Sequence, residues 1–251
     1  MIRFEGLQKT YGTLTAVGGL DFAVEAGCVF GFLGRNGAGK TTTIRMMMGL
    51  LEPSAGTVRL GGHDIRTAPE AAKTLAGYLP DRPYLYEKLT GSELLRFVGG
   101  LHGLARGEAS ARGRELLATF RLEERSGELI ETYSHGMKQR LALAAALIHR
   151  PRILILDEPM VGLDPEGAVE LRQLLRRLAA DGVTIFLSTH SLPVAEELCR
   201  RIAIIDRGRL VALGTLGELR ARAASGERVA VDGQTPSLER VFLDILEADA
   251  A

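Results

Sequence analysis

The sequence lacks tryptophan and has only two cysteines, Cys28 and Cys199, among its 251 residues. The cysteines lie far apart in the sequence and do not have the close spacing of a metal site or a redox pair. We therefore expect two inert, buried thiols in a reducing compartment. The formal net charge is zero, because 31 lysines and arginines balance 31 aspartates and glutamates. This balance excludes a global positive field that would draw the protein to nucleic acid or acidic lipid.

Long hydrophobic runs are also missing. The longest uninterrupted apolar run is residues 141–148, which is far short of the ~20 residues that a membrane-spanning helix requires. The first residues lack a basic segment followed by an apolar one, which predicts no secretory signal. A composition of 46% hydrophobic and 25% charged residues excludes disordered and fibrous proteins. We expect a cytoplasmic protein that reaches a membrane only through a partner.

The first sixty residues are predicted to form short strands around one Gly-rich turn. The apolar run 28–33 predicts a strand, residues 40–50 have helical composition, and residues 57–60 predict another strand. A strand, a Gly-rich loop and a helix therefore follow in order. Two earlier strands are predicted from apolar residues in alternation, namely Ile2, Phe4 and Leu7, then Leu20, Phe22 and Val24.

The rest of the chain divides into a helical segment and an alternating one. Residues 84–133 have helical patterns and indicate an inserted helical lobe. Strands at 153–156 and 183–187 then alternate with helices and lead to a hairpin across residues 206–208, which predicts a largely parallel sheet covered by helices. A polar stretch, 224–235, precedes a final helix whose apolar face is formed by Leu238, Val241, Phe242, Ile245 and Leu246.

Residues 34–41, Gly-Arg-Asn-Gly-Ala-Gly-Lys-Thr, form a complete phosphate-binding P-loop. Its three glycines permit backbone conformations that aim successive N–H groups at phosphate oxygens, and the following helix adds its positive N-terminus. Lys40 can reach the β- and γ-phosphates, and the Thr41 hydroxyl can ligate Mg²⁺. The strand before the motif and the helix after it argue against a chance Gly-rich turn, so we predict nucleotide binding.

Two carboxylates, Asp157 and Glu158, follow the apolar residues 153–156. The carboxyl end of a strand is where open α/β sheets collect ligands. Asp157 is the natural residue on the metal side, and Glu158 is free to polarise an attacking water. An Asp-Glu pair at a strand end is commonly a solvated cap, but its pairing with a P-loop favours a catalytic role.

These motifs leave GTPases, kinases, helicases and transporter-type ATPases open, and the remaining motifs discriminate among them. Residues 133–140, Tyr-Ser-His-Gly-Met-Lys-Gln-Arg, resemble the signature motif of ATP-binding cassette (ABC) proteins. Residues 162–165, Gly-Leu-Asp-Pro, resemble their D-loop, and His190 resembles their switch histidine. The resemblance extends from about residue 2 to 214 with every motif in order.

This resemblance implies ATP and Mg²⁺ as cofactors and a site shared between two subunits, expected to be a homodimer. The serine and second glycine of the signature would contact the γ-phosphate of the ATP held by the opposite subunit. Catalysis would depend on Glu158, His190 and Lys40, and the metal would be held by Thr41, Asp81 and Asp157. The residues expected to contact nucleotide are Tyr11, as the aromatic that stacks on adenine, with Gly34, Arg35, Asn36, Gly37, Ala38, Gly39, Lys40, Thr41, Thr42, Ser134, Gly136 and Asp164.

Two departures from the family pattern affect these expectations. Met137 stands where the usual signature has a glutamine, so its polar contacts are lost. Residues 77–81 are predicted as the loop in which the family normally has a glutamine that senses Mg²⁺ and water, but here the residue is Asp81. An ionised aspartate is shorter than glutamine and cannot donate a hydrogen bond. Glu158 and His190 are intact, so we still expect hydrolysis.

The resemblance implies an α/β P-loop fold with a mostly parallel core sheet, an N-terminal antiparallel β-subdomain and an inserted helical subdomain. We expect an ATPase domain over residues 1–214, with the insertion at about 84–150, and a C-terminal extension over 215–251. The signature, the 80–81 loop and the C-terminal sequence most resemble ABC-2-type exporter cassettes. The expected role is the ATPase subunit that drives a separate permease at the cytoplasmic face of the membrane. The aromatics near Tyr84 would either form its coupling surface or pack inside the helical lobe, and the sequence favours neither.

The alternative function is a soluble ABC ATPase that acts on nucleic acid or ribosomes. Repair members of the family carry long coiled-coil insertions or zinc-binding cysteines, and translation members carry two cassettes. This sequence has neither feature, so we expect no nucleic-acid partner.

Overall fold

A computed structural model of the protein describes residues 1–225 and 238–249, and side chains over 1–222 and 238–243. The strands are β1 (Ile2–Tyr11), β2 (Leu14–Val24), β3 (Val29–Leu33), β4 (Ala55–Leu60), β5 (His63–Asp64), β6 (Ala76–Leu79), β7 (Ile153–Asp157), β8 (Thr184–Thr189), β9 (Arg201–Asp206) and β10 (Arg209–Gly214). The helices are α1 (Lys40–Met47), α2 (Pro69–Thr74), α3 (Gly91–Leu101), α4 (Arg106–Thr119), α5 (His135–Leu147), α6 (Pro165–Ala180), α7 (Leu192–Leu198), α8 (Leu216–Ser225) and α9 (Leu238–Asp249).

The strands form two sheets. The first has the order β2-β1-β4-β5 and is antiparallel throughout. The second has the order β10-β9-β3-β8-β7-β6, in which all neighbours are parallel except the β9–β10 hairpin. The predicted fold class, with its mostly parallel core sheet and its antiparallel N-terminal sheet, is therefore confirmed.

The central strands of the second sheet are apolar because both of their faces are covered. Every residue of β3, β7 and β8 is buried, as expected for parallel strands with packing on each side. One face meets the first sheet through Phe residues, of which Phe22 of β2 and Phe30 of β3 stack with ring centroids 5.6 Å apart. The other face packs on α5 and α6 in a second cluster that includes Leu154 and Leu187.

Helices fill much of the segment that the sequence marks as helical, but the first one begins late. α3 starts at Gly91, where Thr90 forms a capping box with Glu93. Residues 84–90 are not helical, because the capping box fixes the point at which the helix can begin. A short 3₁₀ turn at Ile130–Thr132 then precedes α5.

Two other boundaries differ from the predictions. The helix after the P-loop ends at Met47 rather than residue 50, because the backbone turns at Gly49, where φ is +58°. The segment 77–81, predicted as a loop, is strand β6 over its first three residues, which pair with β7. Asp81 itself follows this strand and is exposed.

The end of the chain packs on the outer strands of the second sheet. α8 is a helix that the sequence reasoning did not predict, whereas α9 is the predicted terminal helix. Leu238, Val241 and Phe242 are buried and pack in one cluster with residues of β9 and β10. The expected apolar positions at 245 and 246 lie outside the described side chains, and most of the polar stretch 224–235 lies outside the described residues.

The thiols match the expected inert character. Cys28 is buried and Cys199 is partly buried, and both are free. Burial raises the pKa of both thiols, so both are held in the unreactive protonated form. Within the described ranges, the helices are all too short or too polar to cross a membrane.

Candidate functional site

The candidate site lies at the carboxyl ends of adjacent parallel strands. The P-loop follows β3, Thr189 and His190 end or follow β8, and Asp157 and Glu158 end or follow β7. These strands are neighbours in the order β3-β8-β7, so their carboxyl ends meet at the same edge of the sheet. Residues separated by more than a hundred positions in the sequence are thereby brought together.

The P-loop backbone depends on its glycines in two different ways. Gly37 and Gly39 have φ of +82° and +102°, a region that other residues rarely adopt. A Cβ on Gly39 would lie 2.5 Å from the Ala16 carbonyl oxygen, and a Cβ on Gly34 would lie 2.6 Å from that of Ile205. Helix α1 then starts at Lys40, so its free N–H groups face the concave side of the loop.

Lys40 and Thr41 connect the P-loop with the carboxylates of β7. Lys40 is 7% exposed, and its Nζ donates a hydrogen bond to the Gly34 carbonyl oxygen at 2.8 Å. The same Nζ lies 3.7 Å from Glu158 Oε1. Thr41 Oγ1 donates a hydrogen bond to Asp157 Oδ2 at 3.0 Å, so the P-loop and the acidic pair form one polar cluster.

Glu158 is held from three directions in a strained backbone conformation. Its φ is +51°, a left-handed value that is uncommon outside glycine. Oε1 lies 2.9 Å from His190 Nδ1, and Oε2 accepts a hydrogen bond from Thr189 Oγ1 at 3.2 Å. Strain of this kind persists where the surroundings fix the residue, as at active sites.

The polar cluster lines a cavity of about 590 Å³. Nine of the residues that the sequence marks as site residues lie in its wall: Arg35, Asn36, Gly37, Gly39, Lys40, Thr41, Thr42, Asp157 and Glu158. Asp81 lines it too, from the end of β6, which is the next strand beyond β7. A cavity of this size and polarity can hold a nucleotide phosphate chain.

Residues that the sequence reasoning did not assign also contribute. Thr189 donates a hydrogen bond to Glu158. Its position directly before His190, at the end of a predicted strand, could have marked it as a site residue. Arg207 lines the cavity from the turn between β9 and β10, and Leu14, Thr15 and Ala16 line it from β2. No local sequence pattern marks these four, since only the packing of the first sheet on the second places them there.

Asp157 brings a buried carboxyl group into the cavity wall. Its side chain is buried, and this burial raises the pKa of the carboxyl group, with the charges of Asp81 and Glu158 acting in the same direction. Asp157 Oδ1 is buried and has no hydrogen-bond partner among the described residues. A cation beside this oxygen would satisfy the atom and offset the clustered negative charge.

These oxygen ligands fit Mg²⁺. The ion prefers one or two carboxylates with hydroxyl, water and phosphate oxygens, and Thr41 Oγ1, Asp157 and Asp81 supply protein oxygens in one cavity. No cluster of three or more His, Cys, Asp or Glu side chains in the described part of the chain could hold a metal by itself. Binding of the ion would therefore depend on nucleotide phosphates as well.

Seven of the predicted site residues are not in the cavity wall, and two of them, Gly34 and Ala38, belong to the P-loop itself. His190 still contacts Glu158, with its side chain 58% exposed. Ser134 is exposed and accepts a hydrogen bond from the Met137 N–H as the N-cap of α5, while Asp164 caps α6 by accepting from the Gly167 N–H. The remaining two are Gly136 and Tyr11.

Side-chain contacts position the signature segment and Tyr11. Met137 is partly buried against the cluster that packs on α5, so it packs where a glutamine would make polar contacts. His135 lies over Gly162, where a Cβ would be only 2.1 Å from the imidazole ring. The Tyr11 ring is half exposed, with Lys9 Nζ 5.2 Å from its centroid.

Comparison with known proteins identifies the family. The sequence profile described as ABC transporter matches residues 17–161. The linearmycin resistance ATP-binding protein LnrL of Bacillus subtilis is 41% identical over 222 residues, which cover 88% of this chain and 71% of the relative. The Nod factor export ATP-binding protein I of Paraburkholderia xenovorans is 40% identical over 235 residues, which cover 94% and 77%.

A solved structure described as the ATP-binding subunit of an ABC transporter superposes with a TM-score of 0.88 at 34% identity, and the match covers 98% of this chain and 99% of that one. The relatives named above are resistance and export proteins, so the resemblance to exporter cassettes is confirmed. The chain therefore belongs to the ABC transporter family, as an ATP-binding subunit with ATPase activity.

Proposed function

We propose that the protein hydrolyses Mg²⁺-bound ATP to drive an exporter of the ABC-2 type through a separate permease. The observation that carries the proposal is the convergence of Lys40, Asp157 and Glu158 in one cavity at the ends of β3 and β7. Relatives named for resistance and export support the direction of transport. None of the relatives named here supports action on nucleic acid or ribosomes.

Nucleotide binding is assigned to the P-loop and the start of α1. The backbone N–H groups of residues 35–41 and the helix N-terminus would bind the phosphates, and Lys40 Nζ would move from the Gly34 carbonyl toward the β- and γ-phosphate oxygens. Thr41, Asp157 and Asp81 would hold Mg²⁺, which supplies charge neutralisation on the phosphates. Tyr11 is assigned to the adenine ring by stacking.

Hydrolysis is assigned to Glu158. Thr189 Oγ1 and His190 Nδ1 fix the two carboxylate oxygens of Glu158 at 3.2 and 2.9 Å, so the group is oriented before a substrate arrives. The carboxylate would orient or deprotonate a water for in-line attack on the γ-phosphate. Lys40 and His190 would stabilise the charge that develops on the transferring phosphoryl group.

The site is proposed to be completed by a second copy of the chain. Ser134 and Gly136 lie at the exposed N-terminus of α5, outside the cavity wall. In a homodimer they would contact the γ-phosphate held by the partner's P-loop, together with Asp164. Binding of ATP would then close the dimer, and hydrolysis would open it.

The coupling surface is proposed to lie beside β6. A cavity of about 380 Å³ there is lined by Tyr78, Pro80, Tyr84 and Tyr86, and Tyr84 is fully exposed. Exposed aromatics next to an apolar groove suit a protein interface. This assignment places the chain at the cytoplasmic face of a membrane, bound to its permease.

The division of the chain into domains is part of the same proposal. Residues 1–214 would form the ATPase domain, with the helical insertion at about 84–150, and residues 215–251 a C-terminal extension. The packing of α9 against the outer strands β9 and β10 supports a fixed attachment of that extension.

Glu158→Gln tests the proposal. The substitution keeps the shape of the side chain but removes the base, so turnover should fall about 10²–10⁴-fold while ATP binding is retained and a closed dimer accumulates. Glu70→Gln, an exposed position on α2, is the matched control and should keep full turnover. Undiminished turnover in Glu158→Gln would remove this residue from the mechanism.

The partner is tested separately. Affinity isolation of the Glu158→Gln protein from its native membranes should recover a polytopic membrane protein as a stoichiometric companion. Stimulation of the wild-type ATPase by DNA or ribosomes, without any such companion, would overturn the transport assignment.

A further inference from the structure

A second cavity lies between the helices, away from the nucleotide cavity. It has a volume of about 230 Å³ and shares no lining residue with the P-loop cavity. Its walls come from the end of α4, the middle of α5 and most of α6, from Gly167 to Arg177, with Pro159 and Leu79 at its base. We call it the interhelix cavity. Phe120, Leu143 and Leu171 give it an apolar floor.

Gln139 has an unmet hydrogen bond in this wall. Gln139 is 2% exposed, and its Nε2 donates to the Pro159 carbonyl oxygen at 3.4 Å. Its Oε1 is buried and has no partner among the described residues. A buried acceptor without a partner destabilises the folded protein, because its hydrogen bond to water is lost and not replaced. A ligand that presents an N–H or O–H group here would remove that cost.

The rim of the interhelix cavity is positively charged. Arg140 and Arg177 line it, and neither side chain forms an ion pair within the described ranges, although Arg140 Nε donates a hydrogen bond to the Gly136 carbonyl oxygen at 3.4 Å. Glu170 also lines the cavity. Its Oε1 forms an ion pair with Arg121 at 2.5 Å but accepts no hydrogen bond from the described residues, and Arg121 also binds Glu166 at 2.9 Å. The rim therefore offers two arginines to an anion, while the acidic group is already paired.

We propose that the interhelix cavity binds a small amphipathic anion, a ring compound with one hydrogen-bond donor and one carboxylate. The ring would cover the apolar floor, the donor would bind Gln139 Oε1, and the carboxylate would meet Arg140 and Arg177. A cavity of this size holds a molecule of one or two rings.

The position of the cavity gives the ligand a regulatory role, and this role rests on the function proposed above. Gln139 lies on α5, which begins directly after Ser134, and Pro159 directly follows Glu158. A ligand bound to Gln139 would stiffen the contact between the signature helix and the loop that carries Glu158. Turnover would therefore change when the cavity is occupied.

Indole-3-carboxylate is a suitable probe, since it has a two-ring body, an N–H donor and a carboxylate. Calorimetric titration of the full chain without nucleotide should give a Kd of about 0.1–1 mM, and the probe should raise the melting temperature in a concentration-dependent way. Indole, which lacks the carboxylate, and 1-methylindole-3-carboxylate, which lacks the donor, should each bind at least about tenfold more weakly.

Two variants locate the binding. Leu174→Trp fills the cavity from α6 and should abolish binding, and Arg177→Gln should weaken it about threefold to tenfold. Both should keep basal turnover. If Leu174→Trp fails to fold, Arg177→Gln and the two indole analogues still decide the question. Equal affinity in wild type and both variants, or no binding at about 10 mM, would overturn the proposal.

Failure of the binding site and failure of the proposed function can be told apart. Glu158→Gln keeps every residue of the interhelix cavity, so it should bind the probe as the wild type does. Binding in that variant without any effect of the probe on wild-type turnover would overturn the regulatory role and leave both the site and the proposed function standing.

Discussion

The P-loop region and the signature region achieve their shape by different means. The P-loop is fixed by its backbone, since Gly34 and Gly39 lie against carbonyl oxygens that leave no room for a Cβ. The signature region is fixed by side chains, with Ser134 as the cap of α5 and His135 over Gly162. Substitutions should therefore be severe and structural in the first region and graded in the second.

The largest expected effect is that of Gly39→Ala. Its new Cβ would meet the Ala16 carbonyl oxygen at 2.5 Å, at a φ of +102°, so the loop must distort. We expect the free energy of unfolding to fall by about 3–5 kcal/mol and ATP binding to be lost. Urea unfolding and calorimetric titration with ATP measure both effects.

Gly37→Ala is the matched control for that backbone constraint. Its φ is also positive, at +82°, but no atom lies within 4 Å of the new Cβ. The cost should be about 1–2 kcal/mol, from the left-handed conformation alone. Equal costs at the two glycines would refute the claim that close approach fixes the P-loop.

An intermediate effect is expected from Ser134→Ala. The α5 cap is lost, which should cost about 1 kcal/mol in the free energy of unfolding. If Ser134 also binds the partner's γ-phosphate, turnover should fall about 10–100-fold, while ATP binding to the isolated subunit stays unchanged.

Thr90→Ala separates the two roles of Ser134. Thr90 also accepts a hydrogen bond as a helix N-cap, that of α3, and it is not one of the signature residues 133–140, so this variant should lose similar stability and keep its turnover. Steady-state ATPase assays compare the pair, and a similar loss of turnover in both variants would reduce Ser134 to a helix cap.

The smallest effect at neutral pH is expected at a pair of histidines in the helical region, where the stability depends on pH only below about pH 6.5. The His149 and His102 rings stack with centroids 3.6 Å apart, and burial together with the nearby His102 lowers the pKa of His149 from 6.5 to about 4. Because the unfolded chain takes up the proton first, stability should be full above pH 6.5 and decrease as the pH falls from 6.5 toward 4.

His149→Gln should remove part of this decrease. The loss between pH 7 and pH 5 should shrink by about 1–2 kcal/mol, after allowance for the partial exposure of the ring. Urea unfolding at the two pH values measures it, with His63→Gln at an exposed position as control. An unchanged difference between the two pH values would show that the stacked pair carries no pH dependence.

Much of the fold was predictable because its signals are local. The apolar runs of β3 and β7, the P-loop between a strand and a helix, and the hairpin at 206–208 are marked by adjacent residues. The late start of α3 at Gly91 and the extra helix α8 were not predicted, because a capping box and packing against β10 override composition.

By itself, the sequence determined the family, the nucleotide motifs and the candidates for catalysis, since each is written in a short run of neighbouring residues. Only the tertiary structure decided that Thr189 and His190 hold Glu158, that Arg207 enters the nucleotide cavity, and that Gln139 faces the interhelix cavity. The physical reason is that these contacts join the ends of strands and helices that are distant in the sequence, and only the order of strands in the sheet brings such ends together.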